Sequence, residues 1–128
     1  MGVFGYADGA LERGFRLRLA NPDAVAAALP DRSQAYRELD AAILEAIFLR
    51  GALGLSGADV EAKKGLAYTA SAEAALGALG KTAQAAFFMR PTPVEQVREV
   101  AAAGETMPPK STYFFPKLPS GIVFNPLY

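Results

Sequence analysis

Hydrophobic and polar residues alternate on both sides of Asp8-Gly9, with Val3, Phe4 and Tyr6 before the pair and Phe15, Leu17 and Leu19 after it. A period of two flanking a turn predicts a β-hairpin. Arg16 and Arg18 then share the face opposite Phe15, Leu17 and Leu19, which points them to solvent or to a neighbour. Asn21-Pro22-Asp23 opens a short alanine-rich helix, because proline suits a first helical turn, and Pro30 closes it because it cannot continue one. From residue 33 to 50, Tyr36, Leu39, Ile43, Ala46 and Ile47 recur at helical spacing and predict the main core helix. Leu44 and Phe48 widen its apolar surface, so this helix is either nearly surrounded or in contact with another chain. Gly51, Gly54 and Gly57 break the pattern, and residues 56–64 read as a charged, partly helical connector.

Beyond Gly65 the rhythm predicts a strand at 66–69, a helix at 71–79, a strand at 83–89 and a helix at 93–103. Ala85-Ala86-Phe87-Phe88-Met89 is apolar on both faces, as in a central strand covered from both sides. Thr92-Pro93-Val94-Glu95 has the form of a capping box with proline first in the helix, Val94, Val97, Val100 and Ala101 supply its buried stripe, and Gly104 is its exit. A last strand at 121–124 follows a proline-rich loop. The fold class is therefore α+β: an N-terminal hairpin, a long core helix, then a β-α-β-α-β segment forming a mixed sheet with helices packed on it. A length of 128 residues suits one domain with one core.

Composition narrows the chemistry. Thirteen basic and thirteen acidic side chains cancel, so the overall charge favours neither nucleic acid nor an anionic membrane as partner. Cysteine and histidine are both absent, which removes disulfides, thiolate nucleophiles, serine–histidine triads and the usual zinc ligands. Carboxylates, lysine, tyrosine and hydroxyls remain. No apolar run approaches the roughly 20 residues of a membrane span, and the first residues lack the basic region of a signal peptide. A cytoplasmic protein is the expectation.

If residues 66–69 and 83–89 are parallel, the helices starting near Ser71 and Thr92 open at one sheet edge. Their unpaired N–H groups, with Arg90 at the strand end, make an anion-binding corner; the plainer alternative is that Ser71 and Thr92 only cap their helices. Gly104-Glu105-Thr106-Met107-Pro108-Pro109-Lys110-Ser111 nearly spells the phosphate cradle G-x-x-x-x-G-K-[ST], but Pro109 stands where the second glycine belongs. Proline offers no N–H and cannot take the glycine conformation, so that reading is rejected. What survives is an ammonium and two hydroxyls, Lys110, Ser111 and Thr112, suited to a phosphate or carboxylate. Tyr113 is a candidate neighbour of the ligand, with core packing as its alternative. Asp40 and Glu105 are the carboxylates with apolar neighbours that could raise a pKa, against the reading of both as ordinary ion-paired side chains.

Several of these stretches carry a resemblance. Tyr68-Thr69, Gln84-Ala85-Ala86-Phe87, Pro91-Thr92-Pro93-Val94-Glu95-Gln96-Val97, Ala103-Gly104-Glu105, Met107-Pro108-Pro109-Lys110-Ser111-Thr112-Tyr113-Phe114-Phe115-Pro116-Lys117 and Gly121-Ile122-Val123-Phe124 resemble the C-terminal part of the bacterial and archaeal family called domain of unknown function 1015. The likeness runs from about Arg16 to Tyr128. Members are longer, and their N-terminal part is similar to the ParB/sulfiredoxin-like group that includes free-serine kinases. The resemblance implies a phosphate- or nucleotide-contacting C-terminal domain of a small-molecule kinase, using ATP or ADP with Mg in the whole protein. Joined to the anion-binding corner read above, this makes Arg90, Thr92, Lys110, Ser111 and Thr112 the expected anion contacts, and the resemblance implies the N-terminal domain of the same protein as partner. A non-catalytic scaffold or homodimerisation domain is the competing expectation.

Overall fold

A computed structural model describes residues 2–112. The hairpin forms as the alternation predicts: β1, Val3–Asp8, pairs antiparallel with β2, Arg13–Arg18, and Phe4 faces Leu17 while Tyr6 faces Phe15. Its turn is held by Asp8, whose Oδ1 accepts from the N–H groups of Ala10 and Leu11 at 2.9 Å each. These two bonds turn the chain back at the strand end. Arg16 and Arg18 are exposed, on the face expected for them.

Asn21 caps α1, Pro22–Ala28, through its side-chain oxygen, with Pro22 in the first turn and Val25 buried. The expected continuous helix over 33–50 is instead interrupted. Ser33 caps a short α2, Gln34–Arg37; Leu39 then turns extended at φ −67° and ψ 130°, and α3, Asp40–Ile43, runs on into a π-helix, Leu44–Ala52. Helical periodicity identified the buried stripe correctly, since Tyr36, Leu39, Ile43 and Ala46 are all buried. It could not register the break. Arg37, which donates to the carbonyls of Leu29 and Pro30 at 2.9 and 2.8 Å, ties α2 back to the end of α1 before the chain changes direction.

The connector holds α4, Gly57–Glu61, with a reciprocal capping box between Ser56 and Asp59. Residues 66–69 form no strand, so the predicted parallel crossover does not exist. After α5, Ala72–Ala78, the chain enters β3, Ala85–Phe88, which pairs antiparallel with β1. The described sheet is antiparallel, in the order β2-β1-β3. Helix α6, Val94–Ala102, follows and leaves through Gly104 at φ 74°. Within it Val100 is fully buried, whereas Val94 is 69% exposed and Ala101 is exposed, so the stripe is narrower than expected. The last predicted strand, 121–124, lies outside the described residues.

Helices lie on both sheet faces, but β3 stands at the edge of the described sheet and β1 at its centre, so the apolar run at 85–89 is not the central strand expected. On the inner face Phe4, Leu17 and Phe87 meet Val25, Ile43, Leu44, Ile47 and Phe48, with Phe48 rings 6.3 Å from Phe4 and 5.5 Å from Phe87. The broad apolar surface of the core helix is thus covered by the sheet of its own chain. On the outer face Leu76 of α5 lies over Gly5, Ala7 and Phe88. A second cluster, Tyr36, Leu39, Ala42 and Val100, joins α2 to α6 and also takes in Met107, while Leu29 touches both clusters.

Candidate functional site

Three chain segments converge where β3 ends. Arg90 leaves the strand, Asp40 opens α3, and Pro91-Thr92-Pro93 leads into α6; together with Gln96 they line a cleft of about 290 Å³. Asp40 is the joint. Its Oδ1 accepts from the Gly2 N–H at 2.6 Å and its Oδ2 from Arg90 Nη2 at 3.1 Å. One carboxylate therefore ties the start of β1 and the end of β3 to α3. Its place beside Arg90 leaves the pair without net charge, and among the described residues the other guanidinium N–H groups have no partner, with 60% of the side chain exposed.

At the start of α6, Pro93 is the capping residue and no side chain caps the helix among the described residues. Thr92, expected to cap, donates its hydroxyl to the Ser111 carbonyl at 2.8 Å instead. Of the first-turn N–H groups, that of Gln96 donates to the Pro93 carbonyl at 3.1 Å; those of Val94 and Glu95 have no acceptor within the helix. The Thr92 bond has a second effect: it fastens the loop that carries Lys110 to the beginning of α6. That loop is anchored from below by Met107 and the buried Pro108.

The Lys110 turn has its own geometry. Ser111 N–H donates to the Pro108 carbonyl at 3.3 Å, and the Ser111 hydroxyl donates to the same carbonyl at 2.6 Å. Pro109 is second in this four-residue turn and Lys110 third, at φ 61°. Proline second with a positive φ third is the type II pattern, which favours glycine in the third place. Lysine occupies it, with its side chain exposed. Glu12 and Lys63 also take positive φ, in the hairpin turn and just after α4, but neither turn is tied to the cleft.

The predicted site residues thus divide. Arg90 and Thr92 line the cleft, and Ser111 is bonded to its rim, carrying Lys110 and the half-buried Thr112 as chain neighbours. The hydroxyl hydrogens of Thr92 and Ser111 are already spent on carbonyls, which makes both residues positioning groups. Ser71 does not join them, because it caps α5, whose Ala72 and Leu76 lie over the outer sheet face. Without the parallel strand pair there is no corner shared by two helix starts. Tyr113 lies outside the described residues.

Neither candidate base keeps that role. Glu105 accepts from the Ser33 hydroxyl, from the Ser33 N–H at 3.0 Å and from Arg32 at 3.4 Å. The Ser33 hydroxyl above all, then the Ser33 N–H and Arg32, hold its carboxyl below the usual range, against an opposing effect of burial. Such a carboxylate is a weak base with its lone pairs engaged. Asp40 is likewise engaged, by Gly2 and Arg90. Sequence reasoning missed Asp40 as the cleft's joint and Gln96 as part of its wall. Their partners, Gly2, Arg90 and the Glu38 carbonyl, lie far away in the chain, so no local spacing could have revealed them. Among the described residues no cluster of three or more acidic side chains suited to a metal comes together, and no helix is long and apolar enough to cross a membrane.

No protein-family model, curated protein or solved structure matches the chain.

Proposed function

We propose that this chain is a phosphate-contacting domain of a small-molecule phosphotransfer protein, with Arg90 and Lys110 as the cations that meet the anion. Thr92 and Ser111 position the Lys110 turn against the start of α6, and Thr112 extends that rim. Asp40 orients the guanidinium while cancelling its charge, so among the described residues the uncompensated positive charge of the site is that of Lys110. The observation that carries the reading is lysine at φ 61° in the third place of a type II turn. A side chain there costs roughly 1–2 kcal/mol relative to glycine, and the turn, pinned to the cleft through Thr92, gives the ammonium a use that offsets it. Free serine as phosphate acceptor, with ATP or ADP and Mg, rests on the family resemblance.

The competing reading, a scaffold or dimerisation domain, draws on the same internal bonds of Thr92 and Ser111. The two readings part at Lys110. Lys110→Gly relieves the turn and is expected to raise thermal stability by about 1 kcal/mol. In the same experiment inorganic phosphate or ATP raises the melting temperature of the wild-type chain by mass action, and this increment is lost in Lys110→Gly and in Arg90→Ala. An equal ligand-induced increment in all three proteins rejects the assignment and leaves the scaffold.

A further inference from the structure

Bonding in the sheet leaves one edge with a defined set of open donors and acceptors. Antiparallel pairs alternate between residues that exchange hydrogen bonds and residues that do not. Leu19 N–H donates to the Gly2 carbonyl and Gly9 N–H to the Gln84 carbonyl. With the observed registers, even-numbered residues of β1 therefore bond to β2 and odd-numbered ones to β3. It follows that Arg13, Phe15 and Leu17 turn their backbone groups inward to β1. Gly14, Arg16 and Arg18 turn theirs outward, to an edge with no neighbouring strand among the described residues.

The side chains on that edge are sorted by charge. Arg16 and Arg18 project to the outer face, are exposed, and make no ion pair among the described residues. Phe15 projects to the inner face at 38% exposure beside the half-buried Leu17, with the Arg13 guanidinium 5.6 Å from its ring centroid. An added strand would continue this alternation, meeting arginine on one side and an apolar rim on the other. A second copy fits poorly: the antiparallel register that uses all three outward residues sets Arg16 opposite Arg16, and like charges directly opposite are destabilising.

We propose that the β2 edge is a docking site for an extended segment of another protein in which acidic and apolar residues alternate. Its backbone would pair with Gly14, Arg16 and Arg18, its carboxylates would face Arg16 and Arg18, and its apolar side chains would extend the Phe15–Leu17 rim. This surface is separate from the Arg90 cleft and does not depend on the function proposed for it.

The probe is a fluorescein-labelled peptide of alternating glutamate and valine, with the lysine–valine peptide as its counterpart. Measured by anisotropy on the full chain, the acidic peptide binds and the basic one does not, and added salt weakens the complex. The doubly substituted Arg16→Glu, Arg18→Glu protein reverses the preference, with at least about tenfold loss for the acidic peptide, roughly 1.4 kcal/mol. Gly14→Pro, which removes an outward N–H without touching the β1 ladder, weakens binding while circular dichroism stays unchanged. Hydrogen exchange at Gly14, Arg16 and Arg18 slows when the acidic peptide is added. The proposal is overturned by binding indifferent to charge reversal, by protection of these three amides before peptide is added, or by a dimer in sedimentation that the double substitution does not alter.

Discussion

At the scale of single residues, Glu105 shows how environment decides the use of a carboxylate. Apolar neighbours in the sequence made it a candidate base. In the fold it closes the start of α2, accepting from Ser33 twice and from Arg32, and so links the exit of α6 to that helix. Its folded pKa lies below the unfolded one, so its contribution to stability is complete above the ordinary carboxylate range of about 4.3 and is lost as pH falls through the folded value. Asp8, held down by the Leu11 N–H and the Tyr6 hydroxyl, and Asp59, held down by the Ser56 hydroxyl and N–H, act with the same sign. The acid limb of stability therefore has several contributors. Glu105→Gln is expected to lower stability at neutral pH and to lose less of it on acidification than the wild type, as seen in urea midpoints collected from pH 7 downward. Parallel pH profiles for the two proteins would contradict the assigned bonds.

At the scale of elements, backbone approach constrains the molecule as much as side-chain packing does. Gly9 donates to the Gln84 carbonyl at 2.8 Å, and a Cβ built on it would stand 2.9 Å from the Gly80 backbone nitrogen and 3.2 Å from the Gln84 oxygen. The hairpin turn thus sits directly on the turn that leads into β3. Gly9→Ala is expected to cost about 1–3 kcal/mol, as overpacking against backbone does, and the loss should appear first as faster hydrogen exchange at the β1–β3 pairs. A stability within experimental error of the wild type would show that the two turns are looser than this. The hairpin, α1 and α6 were readable because each has local punctuation: Asp8-Gly9, Asn21-Pro22, and Pro93 with Gly104. The interruption at Leu39 was not. Its residue keeps the buried phase of the stripe, so the hydrophobic pattern is the same with or without a break. The predicted strand at 66–69 failed for the complementary reason, since a short apolar run without a partner strand specifies no ladder.

At the scale of the whole molecule, a three-stranded sheet with helices on both faces brings the end of β3, the start of α3 and the start of α6 to one place. Asp40 holds this junction together, and the loop through Pro108 to Ser111 rests on it. The sequence marked Arg90, Thr92 and Lys110 by their position at element ends and by a near-miss to a phosphate motif. It could not pair Arg90 with Asp40, because that contact exists only after the sheet and the core helix have packed. The most direct test of the anion reading is a titration of the full chain with inorganic phosphate, followed by backbone amide chemical shifts. The account predicts saturable shifts confined to Arg90, the first turn of α6 and the Lys110 turn, absent in Lys110→Gly. Shifts that persist in that variant, or that gather instead at Arg16 and Arg18 on the sheet edge, would contradict it.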